Sequence, residues 1–537
     1  MQFELKNWMA LLTVSLGVFA ITLDGSMMPV AIGSIVNGLN TDIGSVQAAM
    51  ALHSLIMAAV YLSAGKLADK IGQKRVFTTG AIIFAIGTFT AGLSPNVPVL
   101  LLGWSVIKPI GGAMMIPTAI SLIYLNYEGT LRTTAFGIFA AFTAAAAVIG
   151  PVWMGMIASN FSWRWAFGTE PLLILLVLFF AAPVHESERQ PELQFDIRGA
   201  IMSFTGLGLV VLGATLAGEL GWWKARRPFL IGETGIAPFG MSVAALMILA
   251  GMVVLALFAC WSIKQSRLSR PSLFHMKIFR HTTYSTGVAL GFLFQLTVGG
   301  LLFVLPVFLQ SALGLGAMQT GLVLLPYTMG IFIFALGASR LPETMSVQRI
   351  IQAGLAIMLI GVVWVQATAS LELNLGVLAP ALFVFGAGAG IVLARLPGLT
   401  LSSIGPDELG EAAGGASTGR ELGVAFAVAV LGSIFLALMF GNVVEQYDAY
   451  HDISGVTLED RQQAIMELED WAAKTTDDDW QTFLSTIPEE TSAAYKSLVA
   501  ESYLTAYRIT LRILTFVVAA MLCCAFLLKG AQKQAPE

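Results

Sequence analysis

Charge is scarce in this chain: only 12% of its 537 residues are Asp, Glu, Lys or Arg, where an ordinary soluble domain carries about 25%. With 56% hydrophobic residues and a mean hydropathy of +0.79, the apolar sequence outruns any charged coat able to keep it in water. A soluble enzyme and a nucleic-acid binder are thereby excluded. Cysteine is almost absent, and Cys260, Cys523 and Cys524 all lie in apolar runs. They offer no disulfide framework for an oxidising exterior and read as packing or lipid-facing thiols. No Cys/His spacing suggests a metal site, and no glycine-rich phosphate loop suggests direct drive by ATP. No clustered nucleophile and base points to an enzyme. What is abundant, 33 Phe and 54 Gly distributed through long apolar runs, describes a polytopic membrane protein.

A bilayer core about 30 Å thick takes roughly 20 apolar residues per helix. Runs of that length predict fourteen spans, near 8–35, 44–64, 76–94, 98–125, 133–158, 165–183, 197–219, 238–262, 284–309, 319–339, 348–368, 376–402, 419–441 and 507–529. The first run passes through Leu23-Asp24-Gly25-Ser26 rather than a small-residue cleavage site, so it reads as a retained helix. Lys66, Lys70, Lys74 and Arg75 in the second connection, five Lys and Arg between Lys264 and Arg280, and Lys529 and Lys533 fall on one side. That side is expected to be cytoplasmic, with both termini inside and the chain in the cytoplasmic membrane. Arg226 and Arg227, predicted outside, dissent.

The longest polar stretch, 442–506, falls outside and holds fourteen acidic residues, among them Asp477, Asp478 and Asp479, against Arg461, Lys474 and Lys496, a net charge of −11. Thr457 and Asp460 have capping-box spacing, and Leu458, Ile465, Leu468 and Trp471 suit one helix face. A small helical cap is expected. Its charge is either a solvated surface or an electrostatic funnel for cationic solutes.

The stretch Gly65–Arg75 has an echo 274 residues later, in which Leu341, Glu343 and Arg349 align with Leu67, Asp69 and Arg75. A duplicated six-helix unit with two extra helices between its copies accounts for fourteen spans. The divisions expected are 1–190 for the first bundle, 191–282 for the two extra helices, 283–441 for helices nine to thirteen, 442–506 for the acidic loop, and 507–537 for the last helix and tail.

On these residues the chain resembles the major facilitator superfamily and, within it, the fourteen-helix drug:proton antiporters of the EmrB/QacA type. Gly65 to Arg75 is similar to the superfamily signature G-x-L-a-D-r-x-G-r-r; the resemblance implies a cytoplasmic gate in which Asp69 accepts from a helix N-terminus and pairs with a cation, with Gly65 and Gly72 allowing the tight backbone. Ala146, Gly150, Pro151 and Gly155 resemble the antiporter signature g-x-x-x-G-P-x-x-G-G, a bent and closely packed hinge, although Ala146 and Met154 stand at two of its glycine positions. Trp163–Phe167, Leu305–Gln310 and Gly415–Gly423 read as packing signatures of the same family. In helix four the family's R-x-x-Q-G-x-G-G-A becomes Ser105-Val106-Ile107-Lys108-Pro109-Ile110-Gly111-Gly112-Ala113. A cation survives there, one turn displaced.

Ionisable groups inside a bilayer are costly unless paired or used. Asp24, where the family often carries a proton-coupling acid, is expected to exchange a proton, with Lys108 as its modulating cation and His53 as a possible relay. Alternatively Lys108 faces the cavity and receives an anionic substrate. Glu170, where the family has Asn, and Arg395 are candidate cavity groups or interfacial anchors. Met114, Met115, Trp153, Phe292 and Phe294 suit a soft cavity wall or plain packing.

The expected architecture is an all-α membrane protein with the major facilitator fold, two six-helix halves plus two central helices and a small helical insert before the last helix. The expected function is proton-coupled export of small amphipathic compounds by alternating access, with protons as coupling ion and no other cofactor. The rivals are a proton-linked porter for an endogenous metabolite or lipid, anionic or not, and a non-transporting membrane sensor. Expected partners are a small-molecule substrate and membrane lipid, no nucleic acid, and conceivably an accessory export channel.

Overall fold

The computed structural model describes residues 5–127, 129–181, 186, 196–227, 229–231, 234–268, 270–339, 346–404, 409–451, 457–474 and 477–527. Among them are fourteen helices long and apolar enough to cross a membrane. Spans 1 to 8 are Trp8–Leu39, Ile43–Tyr61, Gln73–Gly92, Val97–Ile123, Ala141–Asn160, Trp163–Ala181, Ile197–Gly218 and Val243–Arg267. Spans 9 to 14 are Thr282–Ala312, Ala317–Ala338, Val347–Ala367, Leu375–Leu401, Glu411–Tyr450 and Glu489–Ala525.

Local chemistry explains several of these ends. Asx side chains accept the first free amides: Asp42 from Ser45 N at 2.9 Å before span 2, Asn96 from Val99 N at 3.1 Å before span 4, and Asp196 from Gly199 N at 2.9 Å before span 7. Gly72, at φ +111°, turns the chain between spans 2 and 3 in a single residue, a conformation that costs a side chain dearly. The last two spans run well past the apolar stretches 419–441 and 507–529. Hydropathy sees only the lipid-facing part, whereas the helices continue because their polar ends pack on protein, span 13 against spans 2 and 9 and span 14 beneath the insert.

Spans 1–6 pack together, as do spans 9–14, and the two groups meet where span 5 lies on span 10 and span 2 on span 13. Spans 7 and 8 form a hairpin attached through span 7, leaving span 8 the least enclosed of the fourteen. Leu175, Phe179, Met252, Leu257 and Phe516 are exposed, an apolar belt suited to lipid. Two three-residue strands, Phe229–Ile231 and Thr234–Ile236, pair antiparallel between spans 7 and 8.

The insert before span 14 is helical, Leu458–Lys474 followed by Asp477–Thr486. Its first helix opens with a capping box: Asp460 N donates to Thr457 Oγ1 at 3.2 Å and Thr457 N donates to Asp460 Oδ2 at 3.0 Å. Of the face expected to be apolar, Ile465 and Leu468 are half-buried and Trp471 is exposed.

Three spans contain a π-helical segment: Leu101–Ile107 in span 4, Phe308–Ala312 in span 9 and Ala427–Leu431 in span 13. Those in spans 4 and 13 sit at polar contacts described below, as single-turn π segments often do at functional sites.

Candidate functional site

Three charged side chains from spans 1, 4 and 6 meet inside the first bundle. Lys108 Nζ lies 2.5 Å from Asp24 Oδ1 and 2.6 Å from Glu170 Oε2, and all three residues are at most 1% exposed. Trp104 Nε1 also donates to Asp24 Oδ1, at 2.9 Å, and Thr88 Oγ1 donates to Glu170 Oε2 at 3.1 Å. Glu170 Oε1 is buried without a hydrogen-bond partner. The rings of Phe84 and Phe167 lie 4.8 and 5.0 Å from the ammonium, close enough for cation–π attraction. Removing such charges from water costs several kcal/mol per ion, repaid only by close pairing and hydrogen bonds. Two carboxylates share one ammonium, so the fully ionised cluster carries −1 and one bound proton makes it neutral.

Helix four aims its lysine through a local irregularity. Pro109 has no N–H for the ordinary bond to the Ser105 carbonyl, and the backbone N–H of Lys108 reaches back five residues to Gly103 instead. Gly87 of span 3 lets the two helices close: a Cβ there would stand 2.4 Å from Lys108 N. His53 Nδ1 lies 2.8 Å from the Trp104 carbonyl and its ring stacks on the indole at 4.4 Å. A carbonyl only accepts, so Nδ1 carries the proton. His53 thus holds Trp104, which in turn binds Asp24.

The hinge residues pack as close contacts between helices. A Cβ on Gly150 would fall 1.9 Å from Ser26 Oγ of span 1, and one on Gly155 would fall 2.7 Å from Met318 Cα of span 10. Ala146 is fully buried, and its carbonyl accepts from Ser26 Oγ at 3.2 Å. Pro151 presents its carbonyl 2.5 Å from where a Cβ on Gly321 would sit. Span 5 is thereby wedged between span 1 of its own bundle and span 10 of the other.

The Asp69 side chain and Glu343 lie outside the described residues, while Gly65 sits within the helix that carries span 2 and Arg349 is exposed at the start of span 11. At the N-terminus of span 3 it is Glu186 that accepts: Lys74 N donates to its Oε1 at 2.9 Å, and Arg75 Nε lies 3.8 Å from its Oε2. A carboxylate is favoured at that helix end by the free amides and the helix dipole. Gly72 makes room, since a Cβ there would meet the Glu186 carboxyl at 2.5 Å.

A cavity of ≈ 1150 Å³ lies between the two bundles, at the ends of the helices that the charge pattern places outside. Neither Glu170 nor Arg395 lines it. Glu170 is drawn away by Lys108, and Arg395 Nη2 donates to the Ala338 carbonyl at the end of span 10, anchoring a helix terminus.

Three features escaped the sequence reading. Glu186 is one of three glutamates in a polar linker and gave no signal. Arg420 and Glu421, read as packing residues, lie within electrostatic reach of Tyr61 where span 13 crosses span 2, and nearby Thr418 Oγ1 donates to the Ala58 carbonyl at 3.1 Å. Gln47 of span 2 donates to the Val428 carbonyl at 2.9 Å and to Ser433 Oγ at 3.0 Å, at the π segment of span 13. The dissenting Arg226 and Arg227 also find their reason: they pair with Glu469 of the acidic insert at 3.6 and 3.1 Å.

The profile of the Major Facilitator Superfamily matches residues 14–428. The chain belongs to that superfamily. It is a membrane transporter and not an enzyme. Among its relatives, the "Multidrug resistance protein Stp" of Mycobacterium tuberculosis is 26% identical over 80% of this chain and 76% of its own length. The "Probable actinorhodin transporter" of Streptomyces coelicolor is 24% identical over 82% and 75% of the two chains, and the "Multidrug efflux pump LfrA" of Mycolicibacterium smegmatis is 25% identical over 82% of each. A bacterial homologue of the human lysosomal transporter Spinster, solved inward-facing and unoccupied, superposes with a TM-score of 0.61 at 15% identity and covers 98% of both chains. That likeness supports the fold, with two bundles meeting across a shared interface.

Proposed function

We propose that this transporter exports small amphipathic organic compounds from the cytoplasm in exchange for protons. Lys108 held between Asp24 and Glu170 carries the reading. A proton on the cluster leaves one carboxylate paired with the ammonium; loss of that proton leaves a second buried carboxylate without a counter-charge. Glu170 Oε1, buried and unpartnered, is the atom with room for that proton, while Asp24 Oδ1 takes both Lys108 and Trp104. Because span 1 also packs on the hinge helix at Gly150 and Ser26, a change of charge at Asp24 reaches the contact between spans 5 and 10. Alternating access then follows as each charge state favours one arrangement of the bundles.

The names of the relatives, which include a multidrug resistance protein and a multidrug efflux pump, support export over uptake. Lys108 is enclosed by two carboxylates, which argues against its use as a receptor for an anionic substrate. The positive charges around spans 2–3 and 8–9 favour the cytoplasmic placement of both termini. In proteoliposomes, an imposed proton gradient should drive efflux of an amphipathic dye by the native chain. Asp24→Asn and Glu170→Gln should each retain dye binding and lose the dependence on the gradient. Gradient-driven efflux that persists in both variants rejects this assignment of the coupling site.

A further inference from the structure

The insert between spans 13 and 14 does more than cover the protein. The cavity of ≈ 1150 Å³ has walls from both bundles, including Asp42 and Phe440, and it is completed by the end of span 7 at Thr215–Gly218, by Arg227, and by the stretch Leu468–Ala472 together with Trp480. That volume is at the upper end of the about 300–1,000 Å³ usual for pockets that hold a drug-sized ligand. The wall is held in place by the loop between spans 7 and 8. Arg227 donates to the Met466 carbonyl at 2.6 Å, to Glu469 at 3.1 Å and to Asp470, while Arg226 is itself tied to the Gly218 carbonyl at 3.0 Å.

Trp471 and Trp480 meet edge to face at 5.6 Å, and Trp480 stacks on Phe483 at 5.6 Å. Trp471 nonetheless remains 44% exposed, beside the cavity it lines. The charged groups of the lining are the carboxylates of Asp42, Glu469 and Asp470 and the single guanidinium of Arg227, a balance of −2. Aromatic faces beside an excess of carboxylate suit a flat ring system bearing positive charge, attracted by stacking, cation–π contact and Coulomb force together.

We propose that the insert forms one wall of an outer vestibule in which Trp471 and Trp480 bind flat aromatic cations on their way out. This rests on the export reading above, and it assigns to residues of the insert a direct part in substrate selection.

Ethidium, a planar aromatic monocation, and fluorescein, an aromatic anion, serve as probes for purified full-length protein, with binding read by fluorescence anisotropy. The double variant Trp471→Ala/Trp480→Ala should bind ethidium about tenfold more weakly, the loss of two cation–π contacts, while Trp471→Phe/Trp480→Phe stays within about twofold. Ethidium should bind more tightly than fluorescein. As a check independent of the tryptophan variants, ethidium should slow maleimide labelling of Ser311→Cys, a lining position, above the background of the native cysteines. Unchanged ethidium affinity in the alanine pair, undiminished labelling of Ser311→Cys with ethidium bound, or preference for fluorescein overturns the vestibule. Tryptophan-dependent ethidium binding without proton-driven efflux by the native chain leaves the vestibule standing and removes the coupling mechanism, and efflux with tryptophan-independent binding does the reverse.

Discussion

The two bundles solve the same packing problem and differ in what they bury. In the first, spans 3 and 4 close on bare glycine positions, with Gly87 against Lys108 and Gly111 against Phe84. In the second, spans 11 and 12 do the same: a Cβ on Gly361 would meet Phe385 N at 2.4 Å and one on Gly388 would meet Met358 N at 2.3 Å. The first bundle encloses an ammonium and two carboxylates at this level. Spans 9 and 12, the counterparts of 1 and 4, contain no Asp, Glu, His or Lys, and the one Arg of span 12 is spent on a helix end. Close helix contact is therefore a requirement of both halves, whereas the ion cluster belongs to one.

That contrast predicts that charge breaks the first bundle and bulk breaks the second. Lys108→Met should have the largest effect, because it strands two carboxylates: a loss of about 3–5 kcal/mol, read as a lowered unfolding temperature in detergent, with loss of coupled efflux. Adding Asp24→Asn and Glu170→Gln to it should restore most of the stability and none of the coupling. Gly388→Val should cost about 1–3 kcal/mol through overpacking and leave the pH dependence of residual efflux as in the native chain. Gly87→Val, equally crowded but pressing on the lysine, should alter both. Equal pH profiles for the two glycine variants would remove the distinction.

At the rim, Arg227→Ala should cost less than about 1 kcal/mol, since Asp470 is half exposed and solvent screens the pair. Its signature is faster proteolysis of the insert, most evident at low salt and narrowing as salt screens the native pair. The smallest effect is at the capping box. The hydroxyl and amide of Thr457 hold the Asp460 carboxyl below its ordinary value of 3.8. The contribution is complete above that value and is lost as the pH falls through the lowered one. Protection of the amides in the first turn of Leu458–Lys474 against hydrogen exchange should fall through that acid range, and Thr457→Ala, which loses the hydroxyl and keeps the amide, should shrink the step.

Much of the cluster was legible residue by residue. Asp24, Lys108 and Glu170 each stand out because ionisable groups are rare in such apolar runs, and Lys108 because it departs from the resembling motif. Their meeting was not legible. A π turn inserts a residue and rotates everything beyond it by about 100°, so the segment Leu101–Ile107 decides which way Lys108 points. Glu170 looked like a cavity group because only its depth, and not its facing, could be read. Glu186 could not be found at all, since its role depends on a chain crossing to the start of span 3 from a linker more than a hundred residues later.

The sequence by itself determined the solvent, the number of spans, the duplication and the helical insert. These follow from composition, from runs of about 20 apolar residues and from local capping, which act along the chain. Tertiary structure alone decided which buried charges meet, which carboxylate caps the start of span 3, and that Arg226 and Arg227 fasten the insert over the cavity. Those contacts join residues tens to hundreds of positions apart, and they depend on helix rotation and close approach, quantities that no one-dimensional pattern carries.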